Sequence, residues 1–391
     1  MRAILIVIDG FGMGPLPDAA AYGDMGADTA LHVCERMERV DWPTLRSLGL
    51  GNAAKLLGKD LPGCGEAVRP RASFGLMAMK SPGKDSTTGH WELSGVVLDK
   101  PFATFPAEPP SFPRELVDEL SRASGRRMLG NCAASGTEII RVLGDAHLAS
   151  GDLILYTSAD SVLQIAAHDA VMTAEELYSV CESARRIADR YNISRVIARP
   201  FTGERGSFVR TDGRRDFSID LPGPSVLDAL LEADVATVGI GKIGDLFNRR
   251  GLSEDIHAKG NPACLDALAE RLRRADERNA FIFVNLVDTD MLYGHRRDVI
   301  GYHRSVAYTD AALAGVIDQL HDEDVLIISA DHGCDPAYSG TDHTREYVPL
   351  LVYGPQRPSR NLGIRTTLSD CAQSLAAFFG IDPMPHGASF L

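Results

Sequence analysis

At 391 residues the chain has the length of two or three domains and ample material for a buried core, which excludes a small stapled scaffold. Apolar residues at 45% and charged residues at 24% match ordinary globular chains and exclude disorder as the dominant state. Forty Lys plus Arg against fifty-three Asp plus Glu leave a net charge of −13, the wrong sign for a main partner that is nucleic acid or an anionic membrane.

The first element is a continuous apolar run, Ala3 to Ile8, that stops at Asp9. It is too short for a signal peptide and lacks a small-residue cleavage site, so it reads as a buried strand. Three hydroxyls, Ser86, Thr87 and Thr88, precede a helix-like start in the stretch Lys84 to Glu92. Pro101, Pro106, Pro109, Pro110 and Pro113 then cluster before a helical stretch from Arg114 to Ser124. A strand (Leu153 to Tyr156), a helix (Ala174 to Tyr191) and another strand (Arg195 to Ala198) follow, and Gly203 to Gly213 forms a second hinge-like segment. Further apolar, β-branched runs at Val235 to Ile240, Phe281 to Val287, Val325 to Ile328 and Val348 to Tyr353 are too continuous for half-exposed strands and predict a largely parallel sheet. Helical spacing recurs between them at Cys264 to Arg274 and Ser305 to Leu320. The expected class is α/β: a core of residues 1–97 and 217–391, its mainly parallel sheet covered by helices on both faces, with a smaller α/β domain inserted at 98–216.

Seven scattered cysteines (Cys34, Cys64, Cys132, Cys181, Cys264, Cys334, Cys371) form no C-x-x-C pair. They predict reduced thiols and a cytoplasmic location. No apolar run approaches the ~20 residues that cross a bilayer.

Asp9 ends the first strand beside Gly10, where ligands of open α/β sheets bind. The strand Phe281 to Val287 runs into Asp288, Asp290 and His295, and Val325 to Ser329 runs into Asp331 and His332. His343 follows in a loop before the next strand. Any one of these acids or histidines alone reads equally well as a cap or a solvated loop residue. Jointly, Asp9, Asp290, His295, Asp331, His332 and His343 supply oxygen and nitrogen donors enough for two divalent ions. Spacing leaves open whether Asp288 or Asp290 reaches the metal, and which of Ser86, Thr87 and Thr88 is the nucleophile. A metal-bound hydroxyl is easier to ionise, and a helix N-terminus favours an attached phosphate. Arg195, Arg199, Arg205 and Arg210, with Lys242 after the strand Val235 to Ile240, form a cationic set suited to a phosphate or simply to a solvated face.

Asp9, the stretch Lys84 to Glu92, Tyr156 to His168, Arg195 to Pro200, Asp331-His-Gly and Thr341 to Pro349 together resemble the bacterial phosphopentomutases of the alkaline phosphatase superfamily, over essentially the whole chain. The resemblance implies an alkaline-phosphatase-like core and interconversion of ribose or 2-deoxyribose 1-phosphate with the 5-phosphate, through a phosphoenzyme and a 1,5-bisphosphate. It further implies two divalent ions, manganese in this family, with a bisphosphate sugar as candidate activator. By register, Asp290, His295 and His343 would hold one ion. Asp9, Asp331, His332 and the nucleophile Ser86 would hold the other, and Ser158, Arg195, Arg210 and Lys242 would meet a phosphorylated pentose. Three positions depart from the family: Ser86 stands where Thr is usual, Gly10-Phe11-Gly12 follows Asp9, and Cys334 replaces the customary Asn. The competing expectations are a metal-dependent phosphatase or phosphodiesterase, a mutase for another phosphorylated sugar or acid, and a silent metal- or ligand-binding protein.

Overall fold

A computed structural model describes residues 1–158, 161–274 and 279–391. Its strands in chain order are β1 Arg2–Ile8, β2 Ser73–Met77, β3 Met128–Ala133, β4 Leu153–Thr157, β5 Val162–His168, β6 Arg195–Thr202, β7 Val209–Arg210, β8 Arg215–Ser218, β9 Ala236–Ile240, β10 Glu254–Ile256, β11 Ala280–Leu286, β12 Val325–Ser329, β13 Val348–Tyr353 and β14 Asn361–Arg365. The chain divides into two compact units, Met1–Lys100 with Leu221–Leu391, and Pro101–Asp220. Both boundaries fall slightly later than the expected 98 and 216.

The first unit is built on an eight-stranded sheet ordered β10-β9-β11-β1-β12-β13-β2-β14. Strands β10, β9, β11, β1 and β12 run parallel. Strand β13, expected among the parallel strands, runs antiparallel to both β12 and β2. Its continuous apolar run reports burial on two faces, which does not encode direction. Every residue of β1, β11 and β12 is buried, as coverage on both faces requires. The helices Gly260–Leu272 and Val299–Ile317 pack together as one part of that cover, and Ser86–Leu93, Val226–Glu232 and Asp370–Phe379 pack together as another. The helix Val299–Ile317 begins six residues before the expected Ser305, where the Asp298 side chain caps it by accepting from Gly301 N at 2.8 Å. A cap sets the start of a helix, whereas apolar spacing marks only its packed stretch. Among the described residues no helix is long and apolar enough to cross a membrane.

The second unit has its own six-stranded sheet, β3-β4-β5-β6-β7 with β8 paired to β6. Alternate residues of β4 serve two cores. Leu153 and Leu155 pack with Leu116, Leu120, Leu177 and Cys181, while Ile154 and Tyr156 pack with Ile139, Ile140 and Phe201. The helix Ala174–Ala188 opens on a capping box between Thr173 and Glu176 and gives way to a 3₁₀ turn before Tyr191.

The site follows from register. Strand β1 lies between β11 and β12, with Ile8 opposite Leu286 and Val7 opposite Ser329. Three adjacent parallel strands therefore end at one level, and the acids that follow them converge.

Candidate active site and metal centre

Asp9 follows β1, Asp331 follows β12, and both are fully buried. Beyond β11 the chain makes a π-helical turn, Thr289–Gly294, closed by the His295 amide donating to the Asp290 carbonyl at 3.2 Å. The wide i→i+5 turn sets position 295 over position 290, which an α-helix would rotate apart. His295 Nε2 accordingly lies 3.4 Å from Asp290 Oδ2, and His343 Nε2 lies 3.3 Å from Asp290 Oδ1. His332 Nε2 stands 3.5 Å from Asp9 Oδ1 and 3.3 Å from Asp331 Oδ2. The three imidazoles are tilted against one another, at 48° with ring centroids 4.2 Å apart for His332 and His343 and at 53° with centroids 4.6 Å apart for His295 and His343.

Carbonyl oxygens orient two of these rings. His332 Nδ1 donates to Gly333 O at 3.0 Å and His295 Nδ1 to Thr341 O at 2.6 Å, which turns each Nε2 toward the carboxylates. Three trios of donor atoms are close enough to share an ion: Asp9, Asp331 and His332; Asp290, His332 and His343; and Asp290, His295 and Cys334. Asp9 Oδ1, Asp290 Oδ1 and Asp331 Oδ2 are buried and accept no hydrogen bond, although imidazole nitrogens stand near them. Burial, with the Asp331 and Asp290 carboxylates beside it, pushes Asp9 up to about 6. Burial also acts to raise Asp290, but His343 and His295 outweigh it and hold that carboxyl well below the usual range. Packed carboxylates with unspent oxygens are the donor set a divalent cation satisfies, so the residues fit the group.

The sequence left two choices open, and the fold separates the residues in each. Asp288 turns away from the cluster: its Oδ2 accepts from Asn261 N at 2.8 Å, and its amide donates to Asn261 Oδ1 at 3.0 Å. Asp290 is the acid that enters. Of the three hydroxyls, Ser86 is the first residue of the helix Ser86–Leu93 and Thr87 and Thr88 lie within its first turn, while the cap is Asp85. Thr88 N and Oγ1 both donate to the Asp85 carboxylate, at 3.1 and 2.6 Å, and Thr87 is buried. Ser86 Oγ is half-buried, 3.2 Å from His332 Nε2.

Residues outside the expected set hold this arrangement. His90, fully buried, donates from Nδ1 to Ser86 O at 2.9 Å and lies 3.1 Å from Asp331 Oδ2, and Asn285 Nδ2 donates to Asp9 Oδ2 at 2.7 Å. Arg345 donates to the Met79, Ser81 and Gly83 carbonyls, bracing the loop ahead of Ser86. Gly89 lets the helix approach, since a Cβ there would come within 2.3 Å of Asp331 O. His90 stood in the Lys84 to Glu92 stretch, but nothing in its spacing distinguishes a buried bracing imidazole from a core one.

The expected substrate residues divide between the units. Lys242, in the first, immediately precedes the short helix Ile243–Leu246. In the second unit, Ser158 follows β4, Arg195 opens β6 with NH1 3.7 Å from Asp216 Oδ2, and Arg210 is exposed on β7. Ala159 and Asp160 of the Tyr156 to His168 stretch lie outside the described residues. Arg199, Arg210 and Arg214 bring positive charge to the Tyr156 hydroxyl, which burial pushes up. Arg205 sits apart from that group, on exposed Asp145 at 3.8 Å.

A model of the metalloenzyme superfamily matches residues 1–383. A phosphopentomutase of Caldanaerobacter subterraneus is 48% identical over 100% of this chain and 97% of its own length. One of Acetivibrio thermocellus is 46% identical over 100% and 98%. Among solved structures, the Leishmania mexicana phosphoglycerate mutase covers 99% of this chain and 97% of its own at 15% identity, with a TM-score of 0.43. On its full-length likeness to the two bacterial relatives, the chain belongs to the phosphopentomutase family within the metalloenzyme superfamily.

Proposed function

We propose that the chain interconverts ribose or 2-deoxyribose 1-phosphate and 5-phosphate, through a phosphoserine at Ser86 and a 1,5-bisphosphate. The observation that carries this is the Ser86 hydroxyl at a helix N-terminus, 3.2 Å from His332 Nε2, beside a buried set of carboxylates and imidazoles. We assign two divalent ions, manganese by family, one to Asp290, His295 and His343, the other to Asp9, Asp331, His332 and Ser86. When bound, they supply charge neutralisation and a lower cost of ionising a serine hydroxyl.

The residues of the chain do the positioning. Phosphorylated Ser86 gives its phosphoryl group to the free hydroxyl of a bound pentose monophosphate, which leaves a free Ser86 hydroxyl. The resulting bisphosphate returns its other phosphoryl group to Ser86, so bonds to phosphorus are exchanged and water takes no part. His90 fixes the Ser86 carbonyl, and the amides of the first helical turn favour a phosphate carried there. Ser158, Arg195, Arg210 and Lys242 are assigned to the pentose phosphate, where arginine forks match phosphate oxygens.

Incubation with manganese and ribose 5-phosphate, following ribose 1-phosphate, free phosphate and ribose separately, tests the reading. Ribose 1-phosphate without matching free phosphate is expected. Stoichiometric free phosphate and ribose would make the chain a phosphatase, and no change in any of the three would make it a binder.

A further inference from the structure

A thiol stands among the histidine and carboxylate donors. Cys334 follows Asp331, His332 and Gly333, is 1% exposed, and its amide donates to Gly10 O at 2.8 Å. Neighbouring glycines make room for it: a Cβ on Gly10 would come within 2.8 Å of Cys334 Cβ, and one on Gly294 within 2.5 Å of its sulfur. The side chain is thus wedged between the turn after β1 and the end of the π-helical turn. Its sulfur, an Asp290 carboxylate oxygen and a His295 nitrogen all lie within 4.8 Å of one another, close enough to surround one ion. Two further observations point to a ligand there. Asp290 Oδ1 is buried without a hydrogen bond, and His295 Nδ1 is spent on Thr341 O, so that its Nε2, 3.4 Å from Asp290 Oδ2, is the nitrogen turned toward the group. The other six cysteines belong to no such donor group among the described residues.

We propose that Cys334 Sγ is a ligand of the ion held by Asp290 and His295, giving this position a sulfur, nitrogen and oxygen donor set that favours zinc and cobalt over manganese. The proposal rests on the reading of the metal centre given above. Manganese is suited by carboxylate, carbonyl and water, and it stands lowest in the divalent affinity series, whereas thiolate selects softer ions. On binding, the thiol proton leaves to solvent and the sulfur lone pair forms the bond to the ion, with no change of oxidation state. An asparagine at 334 would offer only a hard oxygen.

The metal-free full chain is titrated with Co²⁺, Zn²⁺ and Mn²⁺, with bound metal measured by elemental analysis. The cobalt-loaded protein is expected to show an intense thiolate-to-cobalt absorption in the near ultraviolet, lost in Cys334→Ser at equal cobalt content. The ratio of zinc to manganese affinity is expected to fall about tenfold or more in Cys334→Ser, as ligand-shell changes do elsewhere. X-ray absorption on the zinc-loaded parent needs no variant and should show a sulfur neighbour at about 2.3 Å. Metal-loaded parent protein with neither the absorption nor a sulfur neighbour would overturn the assignment of Cys334 while leaving the metal centre standing. A chain that binds none of the three ions would overturn both.

Discussion

Asp288 and Asp290 are two residues apart and meet different surroundings. The first exchanges hydrogen bonds with Asn261 at the start of the helix Gly260–Leu272, and the second faces His295 and His343 at 3.4 and 3.3 Å. Asp290→Asn is therefore expected to lower metal affinity by roughly tenfold or more, read by elemental analysis after dialysis. Asp288→Asn should leave bound metal unchanged and cost about 1–3 kcal/mol in urea unfolding, because a buried acceptor of an amide is altered. Equal metal loss in the two variants would contradict the assignment. For the hydroxyls, Ser86→Ala should abolish turnover and leave unfolding midpoints unchanged, since the side chain is half-buried and fills no core. Peptide mass spectrometry should find phosphate on Ser86. Phosphate on Thr87 or Thr88 would move the nucleophile into the first helical turn.

At the scale of elements, buried carboxylates that accept backbone and hydroxyl hydrogen bonds hold loops in place. Glu92, fully buried near the end of the helix Ser86–Leu93, accepts from Lys80 N, Ser81 N, Thr367 Oγ1 and Leu368 N at 2.6–2.9 Å. Glu92→Ala would strand four donors and is expected to destabilise the chain by about 3 kcal/mol, seen in urea unfolding. A loss under about 1 kcal/mol would show that water replaces the carboxylate.

Glu346 plays the same part elsewhere, accepting from Gly14 N, Thr29 N, Thr29 Oγ1 and Thr344 Oγ1. Burial, with Asp335 adding to it, outweighs those donors and pushes Glu346 from 4.5 up to about 7. A folded-state value above the unfolded one means that the folded chain binds the proton more tightly. The stability it contributes is thus fully present below about pH 4.5 and is lost as pH rises to about 7. The difference in unfolding free energy between the metal-free parent and Glu346→Gln should therefore fall by about 3 kcal/mol across that window and stay level on either side. A difference independent of pH would place the ionisation outside it.

At the scale of the whole molecule, the segment Pro101–Asp220 has its own sheet and two apolar clusters, on opposite faces of β4. A chain of that length buries enough surface to fold alone. Expressed by itself, it is expected to unfold in one cooperative urea transition with native-like far-ultraviolet circular dichroism. A fragment lacking any cooperative transition would show that its core depends on the rest of the chain.

The sequence by itself determined seven strands, β1, β4, β6, β9, β11, β12 and β13, and the acids that follow β1, β11 and β12. A continuous apolar run stopped by Asp is a local signal of a buried strand, whereas β2, β3, β5, β7, β8, β10 and β14 carry no such run. It also determined the family, whose motifs at Asp9, Lys84 to Glu92, Asp331 and Thr341 to Pro349 survive as contiguous residues. What it left open had no local signal. The reversed direction of β13 depends on which neighbours accept its backbone hydrogen bonds, and burial looks the same in either direction. The choice of Asp290 over Asp288 depends on a π-helical turn and on Asn261, which is distant in sequence. The half-buried position of Ser86 beside His332 depends on a helix seated against Asp331 through Gly89. Each of these is settled by a contact between residues far apart in the chain, and such contacts exist only once the strands have packed.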